Sequence, residues 1–151
     1  MLGGQPTRLC RFPKKELAIN DGLPLKPQYN MFKKLNETVT LKDSKGNEYV
    51  FDMYAYDTLD AVEEAVKDYN HAGLYIFAKR YIENGKKYFV LSYIGETGDY
   101  STRGYANHHK KQCIEHHGSN EFGISLLSVS DAKRLEIETD LINTNTPPCN
   151  G

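Results

Sequence analysis

Two β-prone runs, residues 74–79 and 88–93, are separated by a short polar stretch that contains Asn84-Gly85. An Asn-Gly pair accepts the positive φ values of a type I′ turn, whose twist matches that of paired strands, so these runs are predicted to form an antiparallel hairpin. Around it the chain offers other local signals. Residues 38–41 and 49–53 are β-prone and flank Asp43-Ser44-Lys45-Gly46-Asn47, a second hairpin. Asp57 is placed to cap a helix running to about residue 69, with Leu59, Val62, Ala65, Val66 and Tyr69 as its apolar stripe. A loop over 95–99 leads to a helix over about 100–115, irregular near Gly104, and residues 122–129 read as a further strand. Ser130 caps a final helix over about 131–143, which ends before Pro147-Pro148. The first thirty-odd residues, with Pro6, Pro13, Pro24 and Pro27, show no period and read as an irregular arm.

With 151 residues and 39% hydrophobic content, the chain can bury one substantial core. One compact domain is expected, in which residues 1–72 form an arm, hairpin and helix packed on a region 73–151. No charged-then-apolar leader and no apolar run near 18 residues is present, which argues against export and membrane insertion and for a cytoplasmic protein. Cys10, Cys113 and Cys149 are odd in number and lack CxxC spacing, so they are expected to be reduced thiols rather than a disulfide framework or thiolate zinc site.

The net charge of −1 conceals a blockwise distribution. Residues 1–45 carry nine Lys/Arg against four Asp/Glu, and residues 46–72 carry one against seven. Residues 73–120 carry seven against four together with four of the five histidines, and 121–151 carry two against five. Positive charge on the arm and on the 73–120 block is compatible with gripping phosphates, although by itself it favours an ordinary solvated surface.

Three short segments then bring chemistry into the same stretch. Gly73-Leu74-Tyr75 and Tyr93-Ile94-Gly95 each set a phenol beside a glycine, Arg103 follows Gly95 by eight residues, and Glu138-Thr139-Asp140-Leu141-Ile142 precedes Pro147 and Asn150. In order and spacing this set resembles the GIY-YIG nucleases, over roughly residues 73–150. The resemblance implies an α+β fold with a small three-stranded antiparallel sheet flanked by helices, to which the N-terminal β-hairpin and helix are an elaboration. It also implies hydrolysis of DNA to 5′ phosphate and 3′ hydroxyl ends, with Mg²⁺ or Mn²⁺ at Glu138. Tyr75 becomes the general-base candidate, Tyr93 its assistant, Arg103 the electrophile, and Gly73, Gly95 and Asn150 the braces of the site. The family usually places His or Tyr four residues after its arginine. Here that position is Asn107, and His108 is the replacement expected, with surface histidines the competing reading.

The residues support these roles on their own chemistry. At about 100° per residue, Leu135, Leu141 and Ile142 share an arc of the last helix with Glu138, while Lys133, Glu136 and Asp140 lie opposite. An inward carboxylate needs a cation or an ion pair, either a metal or an arginine such as Arg134 or Arg103. A single carboxylate leaves a hard cation most of its coordination sphere for water and phosphate. Arg103 can grip a phosphate bidentately and cannot lose its charge. A phenol with an ordinary pKa near 10 acts as a base only where a cation favours phenolate, for which Arg80, Lys86 and Lys87 are further candidates. His116 and His117 either contact phosphate or end their helix, and no second ligand set with good spacing supports zinc.

The leading expectation is therefore a metal-dependent DNA endonuclease without a membrane partner or small-molecule cofactor. Cutting both strands with one site requires a homodimer or rebinding. Two alternatives stand beside it: a nucleic-acid-binding module that has lost catalysis through Asn107, and a toxin or defence nuclease acting on DNA or RNA.

Overall fold

The computed structural model describes residues 31–151, so the expected irregular arm, Cys10 included, lies outside the described residues. Strand β1 (Phe32–Lys42) turns at Asp43 into β2 (Glu48–Tyr56). The Asp43 carboxylate accepts hydrogen bonds from the Lys45 and Asn47 backbone N–H groups and from the Asn47 amide, fixing the turn. Helix α1 (Leu59–Ala65) begins at Thr58, not Asp57, because the Thr58 hydroxyl accepts from the Ala61 N–H. Asp57 instead accepts from the Met31 N–H. Leu59, Val62 and Val66 are buried as expected, whereas Ala65 is exposed. Strands β3 (Gly73–Glu83) and β4 (Lys86–Thr97) form the anticipated hairpin, with Asn84 at φ 53° and Gly85 at φ 77°. Strand β4 continues to Thr97, past the start of the segment expected to be a loop.

The helix expected over 100–115 is mostly absent. A single 3₁₀ turn, Tyr100–Thr102, leads to Gly104 at φ 74°, and only α2 (Lys111–His116) is helical. Strand β5 (Glu121–Leu126) and helix α3 (Asp131–Asn145) complete the chain before a C-terminal 3₁₀ turn, Pro148–Asn150. The Ser130 hydroxyl caps α3 by accepting from the Lys133 N–H. The buried line of α3 is Arg134, Ile137 and Leu141. Leu135, expected to point inward, is 53% exposed, and the inward arc is rotated so that Glu138 lies at its margin.

All five strands form one antiparallel sheet in the order β1-β2-β5-β3-β4, a correction to the expected three-stranded sheet. Asp52 to Ala55 of β2 pair with Ile124 to Glu121 of β5. The N-terminal hairpin thus satisfies backbone groups along an edge of β5 that would otherwise be open, and extends the sheet instead of decorating it. The fold is α+β. No helix among the described residues is long and apolar enough to cross a membrane.

The two sheet faces hold separate apolar clusters. Tyr75, Phe77, Tyr93, Phe122 and Ile124 meet Leu59 and Val62 of α1, its C-cap Val66, and Tyr100, Tyr105 and Ile114 on one face. Leu74, Ile76, Ile94, Met53 and Phe51 meet Ile137 and Leu141 of α3 on the other. Burying these sets is the main driving force for the arrangement. A β-bulge decides which face Tyr93 joins. Phe77 pairs with Tyr93 and Ala78 with Leu91, so Ser92 is an extra residue in β4. Without it, Leu91 and Tyr93 would share a face by the period-2 rule. With it, Leu91 faces α3 while Tyr93 faces the Tyr75 side.

Candidate functional site

The strand-borne pair comes together because the register places Gly95 directly opposite Tyr75. A Cβ at position 95 would stand 2.6 Å from the Tyr75 hydroxyl and overlap the ring, so only glycine lets that phenol lie across β4. Gly73 does the same for Tyr100, whose hydroxyl donates to the Leu74 carbonyl at 2.6 Å. Both glycines admit protein phenols.

Tyr75 is enclosed by aromatic edges from Tyr105, Phe77 and His108, at 5.3, 5.9 and 5.9 Å between ring centroids. Its hydroxyl lies 2.8 Å from His108 Nε2. The Lys110 backbone N–H donates to His108 Nδ1 at 3.0 Å, so Nδ1 carries no proton. Burial, with Arg103 and His109 nearby, pushes the imidazole down to about 3, which keeps it neutral. A neutral ring with a bare Nδ1 bears its proton on Nε2, and His108 therefore donates to Tyr75. The irregular backbone after Gly104, rather than a regular helix, turns residue 108 inward and leaves Asn107 exposed.

Arg103 closes the 3₁₀ turn at Tyr100–Thr102 and sets its guanidinium 5.8 Å from the Tyr75 ring centroid, where its charge acts on both Tyr75 and Tyr93. Burial raises both phenols above their ordinary 10. Arg103 opposes that rise in each, and the Glu138 carboxylate adds to it at Tyr93. Tyr75 has no exposed surface, whereas Arg103 and Glu138 remain partly open to solvent.

Glu138 and Asn150 meet this group at the free edge of β4. Along that edge the Ile94 N–H and C=O point away from β3. The Asn150 side chain closes both, accepting from the N–H at 2.9 Å and donating to the C=O at 2.8 Å. Asn150 is thus tied down. Two residues on, Glu96 stands beside the Glu138 carboxylate. Arg134 is not the partner of Glu138, because its guanidinium is committed to Glu96 at 2.7 Å and Asp131 at 2.6 Å. Burial and the Glu96 charge push the Glu138 carboxyl up to about 7, and Arg103 does not offset them. A carboxylate held in that condition has a deficit of positive charge, which suits a hard divalent cation with oxygen ligands.

Tyr75, Tyr93, Arg103, His108 and Glu138 are thereby brought together from four segments, with Asn150 beside them. Arg80 is not part of this group, since it is paired with Glu121 at 2.6 Å and Glu37 at 3.0 Å. Lys86 and Lys87 sit at the far end of the hairpin. Sequence reasoning named Arg134 as a partner for Glu138 but missed Glu96, the carboxylate that pairs with Arg134 and raises the Glu138 pKa, and Tyr105, which walls the Tyr75 ring. Only adjacency to Gly95 could have drawn notice to Glu96.

The expectation of separate reduced thiols is overturned for two cysteines. Cys113 on α2 and Cys149 in the C-terminal turn form a disulfide, because packing of that turn beside β4 brings together residues 36 apart in sequence. Comparison with protein-family models, curated proteins and solved structures gives no match to this chain.

Proposed function

We propose that the protein is a divalent-metal-dependent endonuclease that hydrolyses DNA phosphodiester bonds through a GIY-YIG-like site. The observation that carries this reading is the convergence of two phenols, a guanidinium and an undercompensated carboxylate at one edge of β4. Arg103 offers a fixed positive charge to a phosphate approaching the open side of the site. His108 directs its N–H at the Tyr75 oxygen and Arg103 sets a positive charge beside the ring, an arrangement that favours negative charge there against the effect of burial. In this reading Tyr75 receives the proton of the attacking water, and Tyr93, nearer Glu138, orients that water. Asn150 holds the strand that carries Tyr93. A cation bound at Glu138 would supply Lewis-acid stabilisation of charge on the phosphate and the departing oxygen. Glu138→Ala and Arg103→Ala should each abolish Mg²⁺-dependent nicking of supercoiled plasmid with circular dichroism unchanged. Retained cleavage in both variants would refute the assignment.

A second reading is favoured by the complete burial of Tyr75, which opposes its ionisation. It describes a nucleic-acid-binding module that keeps this architecture without turnover. DNA binding with no difference between Mg²⁺ and EDTA in nicking is the outcome that selects it.

A further inference from the structure

Away from the candidate nuclease site, a separate set of donor atoms gathers where α2 meets the C-terminal turn. Cys113 and His117 stand one helical turn apart, the His117 N–H bonding to the Cys113 carbonyl at 3.0 Å, so their side chains share a face. Cys149 approaches that face from Pro148–Asn150. One ligand atom from each of the three lies within 4.8 Å of the others. Cys149 is buried, while Cys113 and His117 are partly open to solvent.

We propose that Cys113, His117 and Cys149 form a redox-gated site for a thiolate-seeking cation such as Zn²⁺, with the disulfide as its oxidised, metal-free form. Tetrahedral zinc holds sulfur at about 2.3 Å and imidazole nitrogen at about 2.0 Å, which sets two sulfurs about 3.8 Å apart. Once the S–S bond is cleaved, the sulfurs need to separate by less than 2 Å to reach that spacing, roughly the reach of modest side-chain rotations. Three protein ligands leave a fourth position, open to water or an added ligand. Borderline-soft Zn²⁺ prefers this sulfur and nitrogen set, and hard Mg²⁺ prefers the oxygen at Glu138, so the two sites select different ions. Oxidation balances by thiol–disulfide exchange with a low-molecular-weight disulfide. The two thiolates give up two electrons and become the Cys113–Cys149 bond, the small disulfide takes those electrons and two protons to become two thiols, and Zn²⁺ leaves. Both states cross-link the same segments, so each keeps Asn150, the neighbour of Cys149, seated on Ile94.

Co²⁺ titration tests this in a Cys10→Ser background, which removes the remaining thiol. After reduction and removal of the reductant, about one equivalent of Co²⁺ should bind with a sulfur-to-metal charge-transfer band in the near ultraviolet, and Zn²⁺ should displace it. The oxidised protein should show no such band, and Cys113→Ser, Cys149→Ser and His117→Ala should each weaken or abolish it. Oxidised His117→Ala retains the disulfide and so provides a folded control. Glu138→Gln should leave the band intact, which separates this site from the nuclease reading. The proposal is overturned if fully reduced protein, verified by two titratable thiols, gives no band, or if the band survives Cys149→Ser unchanged.

Discussion

Replacing Glu138 with glutamine should make the protein more stable at alkaline pH while removing the group proposed to hold the cation. The Glu138 carboxyl ionises at about 7 in the folded protein against an ordinary 4.5, because burial and the Glu96 charge disfavour the anion. A raised carboxyl pKa means that the folded state binds the proton more tightly than the unfolded chain. The group therefore imposes no penalty below pH 4.5, costs progressively more between 4.5 and about 7, and costs a constant amount above that. At about 1.4 kcal/mol per pH unit the full difference would be about 3 kcal/mol. Glu138 is only partly buried, and solvent screening reduces this to about 1–2 kcal/mol. Glutamine keeps the shape of the side chain and carries no charge. Urea unfolding in EDTA should show Glu138→Gln more stable than the native chain by that margin at pH 8 and equal to it at pH 4.5. Added Mg²⁺ at pH 8 should stabilise the native chain and leave the variant unchanged. A difference that does not vary with pH, or a variant less stable at pH 8, would refute the electrostatic account.

Three further substitutions probe the frame of the site. Asn150→Ala removes both side-chain bonds on Ile94 and should cost about 1–3 kcal/mol; unchanged hydrogen exchange at the Ile94 amide would count against the brace. Gly95→Ala drives a methyl group into the Tyr75 ring and should cost about 1–3 kcal/mol with altered near-ultraviolet circular dichroism, whereas an unperturbed aromatic spectrum would show that the ring has room to move. Cys113→Ser removes a cross-link closing 36 residues and should lower stability by about 3–4 kcal/mol in the chain-entropy account, an effect that reductant plus EDTA should reproduce on the native chain. An unfolding midpoint insensitive to reductant would contradict it.

Local chemistry made much of this fold readable. Asn84-Gly85 announced the β3–β4 hairpin because few residue pairs accept two positive φ values, and Ser130 announced the start of α3 because its hydroxyl replaces a missing backbone partner. Other elements were misjudged where a long-range contact outweighed a local preference. Asp57 is a good cap by type, yet the Met31 N–H claims its side chain. The apolar positions after Tyr100 suggest a helix, but seating Tyr105 and His108 against Tyr75 while the Tyr100 hydroxyl holds the Leu74 carbonyl requires a broken backbone at Gly104. Leu135 looked inward because neighbouring apolar residues defined an arc, whereas the Arg134–Glu96 ion pair brings position 134 to the sheet and rotates Leu135 to solvent.

The sequence by itself determined the inventory and its order: a phenol beside each of two glycines, an arginine, histidines near it, a carboxylate and an asparagine beyond it. Composition and short-range spacing suffice for that, since each residue type carries its own chemistry and each turn its own φ requirement. Tertiary structure alone decided that these groups meet. The extra residue at Ser92 turns Tyr93 to the Tyr75 face, the outward backbone groups of β4 receive Asn150 with Glu138 nearby, and the same C-terminal turn brings Cys149 to Cys113. Strand register, bulge position and edge coverage depend on burying two apolar clusters at once, and such cooperative packing leaves no signature at any single position.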